Sequence, residues 1–238
     1  MATSWQASAE TLVSDLRHIF GTRLASVVAY GPQLDGAEDA PLTCLALVES
    51  LGIGDLEACA RIEAEWERRR LATPLILPID EFRRSLDAFP LEYGEIIRTH
   101  QRVFGDDPFT GIAIPPGDLR RACETQAKSH LLHLREGFIE AGNKPQRIAE
   151  LVAASAPAFA ALLRQVGHLY AATGTTGTNR TDAAFAGARA AKVPDGIVRD
   201  VLALEHPANL PTADAARLFP QYLAAVEHLA RTIDTWRA

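Results

Sequence analysis

Cysteine is scarce in this sequence: Cys44, Cys59 and Cys123 are its three, far apart and without a Cys-x-x-Cys pair. That set excludes a disulfide framework and a zinc knuckle, and it reads as buried thiols in a reducing compartment. Positive charge is also short, with 24 Lys and Arg against 30 Asp and Glu and a formal net charge of -6. A general nucleic-acid coat needs the opposite balance, so nucleic acid is not the expected ligand. No unbroken apolar run approaches the ~20 residues that span a bilayer, and no internal repeat is visible. The first residues, MATSWQASAETL, lack a basic segment followed by an apolar one. The expected location is therefore the cytoplasm, with no membrane partner. What the chain does have is the balance of a folded globular protein, 47% hydrophobic and 23% charged over 238 residues. That is enough for one large domain or two small ones.

The hydrophobic pattern changes midway. Ser8 to Phe20 carries Leu12, Val13, Leu16, Ile19 and Phe20 at helical spacing, and Gly21 supplies a stop. LASVVAY (24–30) and TCLALV (43–48) read as buried strands around a turn-rich loop, PQLDGAEDAP (32–41). A helix over 55–70, a strand at 73–77 closed by Pro78, a short helix at 80–87 and a fourth strand at 91–97 (LEYGEII) complete the expectation. The order α-β-β-α-β-α-β predicts a mixed sheet backed by helices. Beyond Pro115-Pro116-Gly117 the strands stop. Long apolar stripes follow at 118–138, at 148–170 with a bend or restart near Pro157, at 182–192, at 196–205 and at 212–237, which predicts a helical bundle. The expected fold class is thus α+β, with an α/β domain over 1–114 and an all-α helical bundle over 118–238.

Four features in order carry a family resemblance: the leading helix, VVAYGPQLDG, the strand PLTCLALVE, and FPLEYGEIIRTHQRVFGDDPF. With them the first half resembles the polymerase-beta-like nucleotidyltransferase superfamily, particularly small bacterial members with a helical C-terminal domain. The resemblance implies a nucleotidyltransferase-like mixed sheet with flanking helices. It also implies a Gly-Ser turn that binds nucleotide phosphates, an Asp-x-Asp strand holding two divalent metals, and a third carboxylate on a later strand. Residues two apart on a strand face the same way, so such a pair aims both carboxylates at one spot. Hard oxygen ligands suit Mg²⁺, which can then stabilise the attacking and departing oxygens of phosphoryl transfer.

Against that pattern the site is degenerate. Gly31 matches the family glycine, but Pro32 replaces the serine and offers neither a hydroxyl nor an N–H. Gly31, Pro32 and Gln33 are the candidate remnant of the nucleotide-binding turn. Aligning CLALV with the end of the family strand puts Leu42 and Cys44 at the aspartate positions, and neither is a magnesium ligand. Glu92 falls near the third carboxylate, and Asp35, with Glu38 and Asp39, lies in the intervening loop. The expected function is a nucleotide- or partner-binding module that has lost catalysis and has no resident cofactor. The helical domain would supply a homodimer or protein-partner surface. The alternative is an active, metal-dependent nucleotidyltransferase using Glu92 and the 35–39 loop, with Mg²⁺ and a nucleotide as cofactors.

Other residues read as structural. His130 and His133 lack the Glu-x-x-His spacing of di-iron bundles and are expected to be partly exposed. Arg199 and His206 match an Arg-x6-His spacing found in helical ribonucleases without the rest of that pattern. Arg68-Arg69-Arg70 closes a helix, where positive charge suits the dipole. GTTGTN (174–179) has no P-loop lysine and reads as a connector.

Overall fold

Helix α1 (Ser4–Phe20) leads into strand β1 (Leu24–Tyr30) in the computed structural model of the chain, which describes residues 4–35, 37, 39–170, 180–205 and 212–237. Two compact units divide the chain, Met1–Ile114 and Pro115–Ala238.

In the first unit β1, β2 (Thr43–Val48), β3 (Leu75–Pro78) and β4 (Gln101–Gly105) form a four-stranded sheet in the order β3-β2-β1-β4. β1 pairs antiparallel with β2 and β4, while β2 and β3 run parallel, so the sheet is mixed as expected. Side chains alternate across a strand, and two separate cores result. On one face Val27, Ala29, Leu42, Cys44, Ala46 and Val48 pack with Ala9, Leu12, Leu16 and Phe20 of α1. On the other, Val28, Leu45 and Leu47 pack with Phe82, Tyr93, Ile96 and Phe109. Both faces are covered, which is why β1 and β2 are apolar throughout.

Two sequence expectations need correction. The helix foreseen over 55–70 is broken into α2 (Ile53–Ala60) and α3 (Glu63–Arg68), with Ile62 outside helical geometry between them. The segment foreseen as a fourth strand, 91–97, is helix α5 (Pro90–Thr99), which follows α4 (Ile79–Arg84); the strand lies just beyond, as β4. Pro90 sits in the first turn, where its missing N–H costs nothing, with Glu92 beside it and Arg98 in the last turn. Pro90, Tyr93 and Ile96 are buried at three-residue spacing, so the apolar residues of LEYGEII serve one helical face.

The second unit is all helical among its described residues: α6 (Pro116–Ala141), α7 (Pro145–Tyr170), α8 (Arg180–Ala190), α9 (Asp195–Leu202) and α10 (Thr212–Thr235). Helix α7 runs through Pro157 as one element. By length and composition it is able to cross a membrane. Here its Val152, Phe159, Leu163 and Val166 are fully buried in the unit's core. Helix α8 approaches α7 at two facing glycines. A Cβ on Gly187 would lie 1.8 Å from the Leu163 carbonyl oxygen, and one on Gly167 would lie 3.3 Å from the Gly187 Cα. Only glycine allows main chains this close.

Candidate functional site

The turn after β1 is built by Gly31, whose φ of +90° lies in the left-handed region. A side chain there would also press on the Thr43 hydroxyl, 3.3 Å from a constructed Cβ. Pro32–Asp35 then forms a single 3₁₀ turn. The Leu34 amide donates to the Gly31 carbonyl at 3.1 Å, and the Ala37 amide donates to the Pro32 carbonyl at 3.1 Å. Pro32 has no N–H and the Leu34 and Ala37 amides are already engaged, so none of these three positions offers a free N–H to a phosphate. The Gln33 Oε1 is buried and accepts from no donor among the described residues, an arrangement native structures rarely leave without a function.

Register fixes which side chains stand beside that turn. Tyr30 pairs with Thr43, Ala29 with Cys44 and Val28 with Leu45. Directly opposed residues share a face, so Thr43 and Leu45 stand on the side of Tyr30 and Gly31. Leu42 and Cys44 point the other way, into the core under α1. Burial pushes the Cys44 thiol up to about 12, so it stays protonated near neutral pH and is no thiolate ligand. Burial likewise raises the Tyr30 phenol. Neither pair of positions, 42/44 or 43/45, holds a carboxylate.

Among the described side chains, the remaining candidates do not converge on the turn. Glu92 is exposed in the first turn of α5, not on a strand. The neighbouring strand β3 reads Leu-Ile-Leu-Pro and offers no oxygen ligand from its side chains. Asp39 is fully exposed, its Oδ1 3.6 Å from the Arg70 guanidinium, which also donates to the Asp39 carbonyl. Asp35 closes the 3₁₀ turn by its backbone, and Glu38 lies outside the described residues. Among the described residues no three His, Cys, Asp or Glu side chains are grouped to hold a metal ion. The donor set that the described residues bring to this turn does not fit Mg²⁺.

The helical unit holds a feature that sequence reading missed. A cavity of about 630 Å³ opens between α7, α8 and α9, lined by the guanidinium-bearing Arg164, Arg180 and Arg199. Thr181 adds a hydroxyl, while Phe185 and Leu202 contribute apolar wall. Volume and mixed lining are those of a small-ligand site. In the sequence Arg199 stands out only by its spacing to His206, which lies outside the described residues. Histidine 130 also differs from expectation. It is buried, with Nε2 2.7 Å from the Tyr222 hydroxyl, and the Ser155 hydroxyl donates to the same phenol oxygen at 3.1 Å. Burial, assisted by His133, lowers its pKa to about 4, so the ring is neutral and structural.

No protein-family model and no curated protein sequence matches the chain. Its structure is similar to the crystal structure of spectinomycin adenyltransferase AAD(9) from Enterococcus faecialis, which holds ATP and spectinomycin. The TM-score is 0.55 at 12% sequence identity, and the match covers 96% of this chain and 99% of that one. The chain therefore has the nucleotidyltransferase fold followed by a helical region, as the sequence resemblance implied.

Proposed function

We propose that this protein is a catalytically degenerate member of the nucleotidyltransferase fold that binds a nucleoside triphosphate, acting as a cytoplasmic binding or regulatory module. The observation that carries the reading is the contrast between its two polar features. Among the described side chains the turn at Gly31 has no carboxylate placed to hold a metal, while Arg164, Arg180 and Arg199 stand in the lining of a cavity of the helical unit. The fold neighbour was crystallised with ATP, which supports a nucleotide as the anion; fold alone does not carry function, so the lining residues bear the argument. Transfer chemistry has no support from the side chains near Gly31. Thr43 and Leu45 cannot organise the two-metal clamp that in-line displacement uses.

The test is paired. Equilibrium titration with ATP, GTP, CTP and UTP reads binding, and pyrophosphate release with Mg²⁺ and candidate hydroxyl acceptors reads transfer. Binding of at least one nucleotide with no pyrophosphate above the protein-free control is the expected result. Mg²⁺-dependent pyrophosphate release abolished by Glu92→Gln would instead establish the enzyme reading.

A further inference from the structure

The two faces of the sheet in the first unit are covered in different ways. On the face of Cys44 the cover includes Leu12, Leu16 and Phe20 of α1, a single helix of 17 residues. On the face of Val28 and Leu45 it comes from the shorter helices α4 and α5 and from residues 106–114, which carry no helix or strand. Phe109 is the buried residue of that segment, and Ile112 and Ile114 pack half-buried against the same cluster. The Phe109 ring lies 5.5 Å from that of Phe82 and meets the His100 ring edge-on at 4.7 Å. Val28 and Leu45, in the same cluster, are 1% and 0% exposed. Neither is open to a ligand while this cover holds.

The segment is fastened by a small set of groups. Gly105, at φ +74°, turns the chain out of β4, and a Cβ there would lie 2.0 Å from the Ala25 carbonyl oxygen. Gly111, at φ +78°, has open space around its Cβ position. Between them the Asp107 Oδ1 accepts from the Phe109 amide at 2.9 Å and lies 3.4 Å from His100 Nε2. The Ser26 hydroxyl donates to the Asp106 carbonyl at 3.0 Å, and the Ile112 amide to the Phe109 carbonyl at 2.9 Å. Irregular segments anchored by few buried apolar groups open at a lower free energy than the whole fold, and left-handed glycines let the chain turn at their ends without strain. We infer that residues 106–114 form a releasable strap, with Phe109 as the plug that keeps the sheet face beside Gly31 shut. Release uncovers the side of Val28, Tyr30, Thr43 and Leu45 while the α1 face stays packed. The strap stands apart from the nucleotide reading, so the failure of either leaves the other in place.

The test is native-state thiol labelling of the full chain with iodoacetamide, read by peptide mass spectrometry. Val28→Cys places a thiol on the strap side with little change of volume, and Cys44 reports the α1 face of the same sheet. The introduced thiol is expected to react about tenfold faster than Cys44 or more, at a rate nearly unchanged up to about 1 M urea. Adding Phe109→Ala should speed that reaction by about tenfold or more, with Cys44 unchanged. Asp107→Ala, at an exposed position, should speed it by about threefold, and it decides the matter if Phe109→Ala does not fold. One shared rate for both thiols, rising together with urea, means that the face opens by global unfolding alone and overturns the inference. A fast introduced thiol that is indifferent to the strap variants moves the opening to α4 or α5 and overturns it equally.

Discussion

At the residue scale the decisive detail is phase. A strand buried on both faces carries apolar residues at every position, so TCLALV has no alternation to tell which residues face which way. Length of the loop after Gly31 sets that phase, and only the pairing of Tyr30 with Thr43 reveals it. The sequence reading placed the degenerate pair at Leu42 and Cys44; the positions on the Gly31 side are Thr43 and Leu45. The difference has a measurable form. Cys44→Asp puts a carboxylate into a fully buried apolar site and is expected to cost about 3–5 kcal/mol, read by urea denaturation, with no gain in Mg²⁺ stabilisation. Thr43→Asp, at a half-buried position, should fold with a loss of about 1 kcal/mol or less.

Histidine 130 supplies a second prediction at this scale. The unfolded ring takes a proton near 6.5, while the folded ring resists until about 4. Below 6.5 the unfolded state therefore binds more protons, so stability is complete above that pH and falls as pH drops through 6.5 towards 4. A displacement of that size corresponds to about 3 kcal/mol. Urea midpoints measured from pH 7.5 to 4.5 should decline for the wild type. They should stay nearly flat over that window for His130→Gln, which has a lower stability at pH 7.5 through the altered contact with Tyr222.

At the element scale, periodicity was a good guide where one face is buried and a poor one where the run is short. The five helices of the second unit were foreseen because their apolar stripes recur at three and four residues over long stretches. LEYGEII was too short to separate a strand from a helix, and Pro90 was the available signal for a helix start. The arginine cavity was invisible to this kind of reading because Arg164, Arg180 and Arg199 lie on three separate helices. What brings them together is packing, above all the contact of α7 with α8 at Gly167 and Gly187. Gly187→Ala should force the helices apart against a carbonyl oxygen, costing about 3 kcal/mol in thermal or urea unfolding. Gly196→Ala, on α9 with open space around its Cβ position, should be neutral or stabilising by about 0.5 kcal/mol.

At the scale of the whole molecule, the proposed nucleotide would meet arginines on a protein of net charge -6. Long-range repulsion of the ligand and short-range attraction by the guanidinium groups act in opposite directions, and salt screens the first more effectively than the second. Raising NaCl from 0.05 to 0.3 M should therefore weaken nucleotide binding less steeply than the same phosphate contacts on a neutral protein would. A plot of log affinity against log salt checks this. The likeness to an adenyltransferase at 12% identity illustrates how one backbone plan can be built from very different side chains. The touching glycines carry one more implication. Because main chain meets main chain there, the span between the Arg164 and Arg180 stems is set by two rigid rods and cannot shrink around a small guest.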